Sequence, residues 1–105
     1  MRDQQYPYAE LQVTFLTPEE GGRTQPPWLD DQRYRPHLRV PPDDMMLGVE
    51  FVDGPDGPTP VGIPVYTTVR FVYEPEISYS ALQLGAEIEV LEGGRIVGRG
   101  RVVRR

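Results

Sequence analysis

The sequence contains no cysteine, no lysine and a single histidine, His37. Without cysteine there is no disulfide, no thiolate metal ligand and no thiol nucleophile, and nothing in the chain calls for an oxidising compartment. One histidine with no cysteine is a poor basis for a zinc site, so no metal is expected. The GxxxxGK[ST] phosphate loop is missing together with its lysine, so no nucleotide is expected either. Apolar runs fall far short of the ~18 residues a membrane helix requires, and the first eight residues carry no leader-like apolar stretch. The expectation is a cytoplasmic protein with no membrane contact. Ser78 and Ser80 lack the elbow that would expose a serine hydroxyl to a base. Asp43-Asp44 and Asp53-x-x-Asp56 lack the spacing and closing glutamate of a calcium loop. No catalytic residue and no cofactor are expected, and the chain is not read as an enzyme.

Helix signals are scarce as well. No window of helical length is free of both proline and glycine and also shows a 3.6-residue apolar period. The 12 prolines and 11 glycines stand between apolar runs, where they punctuate strands. Alternation predicts strands over residues 9–16, with Leu11, Val13 and Phe15 on one face, and over 34–40, where Pro36 marks an edge or bulge. Further strands are predicted over 46–52, over 66–73 with Val69, Phe71 and Tyr73 on one face, and over 86–91 with Ile88 and Val90 inward. The last covers 96–103, where Gly98 and Gly100 share a face that another backbone can approach closely. Residues 74–84 read as a loop with room for one helical turn. Six short strands between frequent turn signals predict an all-β fold, a small antiparallel barrel or sandwich. A six-stranded antiparallel β-barrel is favoured because closure removes exposed edges. Residues 1–8 read as a flexible arm and residues 9–105 as one barrel domain.

Charge is unevenly spread. Arg95, Arg99, Arg101, Arg104 and Arg105 end the chain with no acid among them, whereas residues 1–94 hold six arginines against sixteen acids. An acidic body suits nucleic acid poorly, because phosphate contacts dominate that affinity. A local basic stripe remains available at Arg99 and Arg101.

Three motifs occur in order: Glu19-Glu20-Gly21-Gly22-Arg23, Tyr34-Arg35-Pro36, and Glu92-Gly93-Gly94-Arg95-Ile96-Val97-Gly98-Arg99-Gly100. They resemble the C-terminal barrel, domain III, of the elongation factor Tu family, which has an EEGGR turn, a YRP strand and a closing EGGRTVGAG hairpin. The resemblance spans residues 9–103 and implies a six-stranded antiparallel barrel. In that family the barrel touches the T stem of aminoacyl-tRNA, at positions that Arg23 and the Glu92-Gly93 turn match. Other positions depart from the family. Leu91 replaces an arginine, Glu74-Pro75-Glu76-Ile77 replaces His-Pro-Ile-Ala, and His37 replaces the glutamine after YRP. The loop after Arg23 is longer and gains Trp28 and Asp30-Asp31. The family's GTPase domain and second barrel have no counterpart in this sequence.

The candidate binding residues are Arg23, Trp28, Tyr34, Arg35, Glu92, Gly93, Arg95, Arg99 and Arg101. Arg23 and Arg95 either pair with nearby acids such as Glu20 or Glu92 or contact an anionic partner. Trp28 either closes one end of the barrel or is displayed as an interface anchor. The expected function is a stand-alone, translation-related binding module for a protein partner, self-association being one form of this. RNA binding of a tRNA-like kind is the alternative, disfavoured by the acidic charge and by Leu91.

Overall fold

A computed structural model of the chain describes residues 7–30 and 32–105. The predicted arm lies outside the described residues apart from Pro7 and Tyr8, as does Asp31 of the acidic pair. Six strands form: β1 (Tyr8–Phe15), β2 (His37–Arg39), β3 (Leu47–Asp53), β4 (Pro64–Phe71), β5 (Glu87–Glu92) and β6 (Arg95–Arg104). They close into a barrel in the order β1-β4-β3-β2-β5-β6, with every neighbouring pair antiparallel. The all-β, six-stranded antiparallel barrel expected from the sequence is the observed fold. No helix among the described residues is long and apolar enough to cross a membrane.

Period-two side chains on β1, β3, β4 and β5, joined by two valines of the less regular β6, build the interior. β1 contributes Ala9, Leu11, Val13 and Phe15, β3 Leu47, Val49 and Phe51, β4 Val65, Val69 and Phe71, β5 Ile88 and Val90, and β6 Val97 and Val102. Each such burial stabilises the fold by roughly 1.5–3 kcal/mol for the larger side chains. Gly98 and Gly100 lie against β1, as their shared face suggested. A Cβ on Gly100 would overlap the Gln12 carbonyl, and one on Gly98 would sit 3.2 Å from the Phe15 ring.

The pairing order makes the β1–β2 and β4–β5 connections cross the two ends of the barrel. Leu29, fully buried, closes the end shared by residues 16–36, 54–63 and 93–94. Tyr79 and Leu82 fill the other. The Tyr79 ring stacks on Phe71 at 4.4 Å, and its hydroxyl donates to the Gly48 carbonyl (2.6 Å) while accepting from the Tyr73 N–H (3.1 Å). A buried phenol is thereby satisfied on both sides.

Two local expectations change, and a third, one helical turn in the loop before β5, holds. β2 is regular only over His37–Arg39, because Pro36 has no N–H to continue a ladder. The backbone still follows β3 further out, with the Val49 N–H donating to Pro36 O (3.1 Å) and the Phe51 N–H to Tyr34 O (3.0 Å). Tyr73 lies beyond β4, 49% exposed, with its ring over Gly48 rather than in the core. Within residues 73–84, the Ile77 N–H to Tyr73 O bond (3.0 Å) closes a single turn that no helix continues.

Candidate functional site

Each glycine motif has a physical reason for its order. Thr17 leads into a short 3-10 helix, Pro18–Glu20, and the Glu20 carboxylate accepts from the Thr17 N–H (2.9 Å) and hydroxyl (3.1 Å). Gly21 takes a left-handed φ of 95°, which a side chain would strain. Gly22 packs against the Leu16 backbone so closely that a Cβ would overlap its carbonyl. Glu20 is therefore used within its own turn, and Arg23 is delivered elsewhere. In the second motif Gly93 supplies the positive φ (62°) of the hairpin between β5 and β6.

Arg23 reaches across the barrel end to Glu92. Its Nη1 donates to Glu92 Oε2 at 3.1 Å, and the Tyr34 hydroxyl donates to the same oxygen at 2.6 Å. The Arg23 guanidinium also lies over the Tyr34 ring, 5.1 Å from its centre. The Tyr34 ring in turn contacts Phe51 (5.3 Å) and Phe15 (6.1 Å) in the core. Burial, the hydrogen bond to Glu92 and the charge of that carboxylate push the Tyr34 phenol well above its ordinary range. Tyr34 therefore stays a neutral donor at any pH the protein meets. All three sequence motifs meet in this one cluster.

A second ion-pair row lies beside it on the outer face. Arg35 pairs with Glu50 at 2.7 Å and Arg70 pairs with the other oxygen at 3.1 Å. The register explains the row: Glu50 stands opposite Arg70 on β4, and the residue 34–36 segment places Arg35 on its other side. Burial works against ionisation of Glu50, but hydrogen bonds and charge from Arg35 and Arg70 outweigh it and hold the carboxyl below the 4.5 of a free glutamate. A depressed folded pKa stabilises the protein above the unfolded value, and that contribution is lost as pH falls through the folded value. Glu50→Gln should thus lower stability at neutral pH by about 1–3 kcal/mol. The gap between mutant and wild type should narrow on acidification below pH 4.5. Urea denaturation across that range checks it, and a gap independent of pH contradicts the assignment.

Three adjoining recesses meet at Arg23. One of about 360 Å³ is lined by Tyr34, Arg35, Pro36, His37, Leu91, Glu92 and Gly93 together with Arg23. A second, of about 270 Å³, adds Gln25, Pro26, Pro27, Trp28 and Arg33. A third, of about 360 Å³, adds Thr24 and Arg95. Of the predicted residues, Arg23, Trp28, Tyr34, Arg35, Glu92, Gly93 and Arg95 thus come together at one end of the barrel. Arg99 and Arg101 do not line these recesses. They sit exposed on β6, in register with Glu89 and Glu87 respectively, and Glu89 is itself bonded to Arg39 at 2.8 Å.

Trp28 does not close the barrel end: it is 50% exposed, and Leu29 takes the interior place. Leu91 is 1% exposed but outside the main core: it belongs to the outward set of β5 with Glu87 and Glu89, and it lines the first recess together with Arg23 and Tyr34. Sequence reasoning passed over Glu50. Its one visible signal was a carboxylate inside the otherwise apolar run of residues 46–52. Ser78 and Ser80 hydrogen-bond to one another at 3.0 Å. Among the described residues no group of three or more His, Asp or Glu is placed to hold a metal ion. No protein-family model matches this sequence.

Proposed function

We propose that the chain is a protein-interaction module, working by binding rather than covalent chemistry, on a barrel related to domain III of the elongation factor Tu family. The relation is supported by the mutual contact of the three motifs that suggested it: Arg23, Tyr34 and Glu92. The interaction reading rests on Trp28. A tryptophan left half exposed among Pro26, Pro27, Arg23, Arg33 and Tyr34 reproduces the Trp-Tyr-Arg composition of interface anchors. Buried Leu29, the Trp28–Pro58 bridge and the bonds of Arg23 and Tyr34 to Glu92 hold this surface, which lowers the cost of ordering it on binding. The RNA alternative draws less support, because Arg99 and Arg101 on β6 stand opposite Glu89 and Glu87 in register.

An affinity purification from lysate of the source organism, with protein and RNA both recovered, tests this. Wild-type protein is expected to enrich a protein partner. Trp28→Ala should weaken that capture by about 30-fold, the effect of losing an anchor worth about 2 kcal/mol. RNA enriched by wild type and lost in an Arg23→Ala, Arg95→Ala double variant, with no protein partner, overturns the proposal.

A further inference from the structure

Every neighbouring pair of strands in the barrel is backbone-paired, and the β2–β5 ladder is short, with three rungs. Tyr34 and Pro36 give their carbonyls to β3. By strand alternation the N–H and C=O of Arg35, between them, face the other way, toward β5. The pairing of β2 with β5 ends at His37 and Leu91. In that register the next rung would join Arg35 to Gly93. It is not formed: among the described residues neither the N–H nor the C=O of Arg35 has a hydrogen-bond partner. Side chains span the gap instead, through Tyr34, Arg23 and Glu92, and the recess of about 360 Å³ opens at this place.

We propose that this opening is the docking edge for an extended acidic peptide segment of a partner protein, which pairs its backbone with Arg35 and places carboxylates near Arg23 and Arg95. This deepens the protein-interaction reading and rests on it. Two observations select the occupant. Unpaired main-chain donor and acceptor groups on a sheet edge recognise another extended backbone. The side chains around them are cationic in a chain of net charge −5: Arg23 lines both the opening and the adjoining recess that holds Arg95, and among the described residues Arg95 makes no ion pair. The Glu92 carboxylate is already engaged by Arg23 and Tyr34, so its repulsion of an incoming acid is reduced. The half-exposed Trp28 and Pro26 lie alongside, available to an apolar residue flanking the acids.

The test uses random linear peptides displayed as a library and selected on the full-length protein, with enriched sequences then resynthesised. Acid-rich sequences without proline at their centre are expected. Their binding is compared between Arg35→Ala and Arg35→Pro, which both lack the guanidinium and differ in the main-chain N–H. Arg35→Pro should bind at least about tenfold more weakly, the loss of one hydrogen bond. In wild-type protein the Arg35 amide should gain hydrogen-exchange protection when peptide is bound, a readout that does not depend on how either variant folds. Peptides that lose affinity with Trp28→Ala but leave the Arg35 amide unprotected would overturn the edge while the interaction reading stands. Failure to enrich any acidic sequence also overturns the edge, and the purification result then judges the broader reading separately.

Discussion

Gly100→Ala is expected to be among the most damaging single substitutions in the chain, costing about 3 kcal/mol or more. The new methyl group would coincide with the Gln12 carbonyl oxygen and sit 2.9 Å from the Val13 Cα. Both obstacles are main chain, so no rotamer change relieves them. Gln12 and Val13 belong to β1, whose pairing with β6 completes the ring of strands. The strain can be released only by parting the two strands, which exposes the core between them. Gly94→Ala, in the hairpin nearby, is the internal control, because a Cβ there meets nothing within 4 Å. It should change stability by less than about 0.5 kcal/mol, the usual range for a surface substitution. Chemical denaturation of the two variants decides the matter. If Gly100→Ala costs no more than Gly94→Ala, β1 and β6 are not packed this closely.

Phe51→Ala is expected to lose about 3–5 kcal/mol, the ordinary result of emptying a fully enclosed aromatic position. Its particular consequence lies at the surface. Phe51 supports the Tyr34 ring at 5.3 Å, and Tyr34 carries both the Arg23 guanidinium and the hydrogen bond to Glu92. A cavity beneath Tyr34 lets that ring tilt, so the stability loss should be accompanied by weaker partner binding although Phe51 touches no partner. Phe51→Leu keeps most of the volume and should cost only about 1 kcal/mol. Denaturation midpoints give the first effect, and affinity for a peptide selected as above gives the second. Full affinity in a folded Phe51→Ala protein would show that the recess does not depend on its aromatic support.

How much of this was legible in the sequence depended on the kind of signal. β1 was readable because Leu11, Val13 and Phe15 alternate with polar residues, and all three are buried. Gly98 and Gly100 were readable because two glycines on one strand face leave room for a neighbouring backbone, which is what β1 occupies. Tyr73 misled because composition does not mark where a strand stops; β4 ends at Phe71 and the chain turns before Tyr73. Trp28 and Leu29 lie in an irregular loop, where no period in the sequence decides which of them faces in, so both places for Trp28 stayed open. Leu29 takes the interior place because it fits the space left above Gly54, and Trp28 is left half exposed. The site was legible as a set of motifs but not as a cluster. Nothing local reveals that Arg23 and Glu92 meet, because that pairing follows from the strand order. The unformed rung at Arg35 was likewise hidden, since it depends on the register of two strands against a third.

The contact between Arg23 and Glu92 joins residues 69 positions apart, and that between Tyr34 and Glu92 joins residues 58 apart. Such links form only after the chain has met the entropy of closing very long loops, and barrels built from non-local pairings fold on a timescale of about milliseconds to seconds. A half-made barrel therefore offers a partner neither the cationic rim nor the open rung. Recognition at this end would certify that the barrel has closed, and a bound partner would in turn hold the β5–β6 hairpin against the first long loop, slowing the chain's escape from its native state.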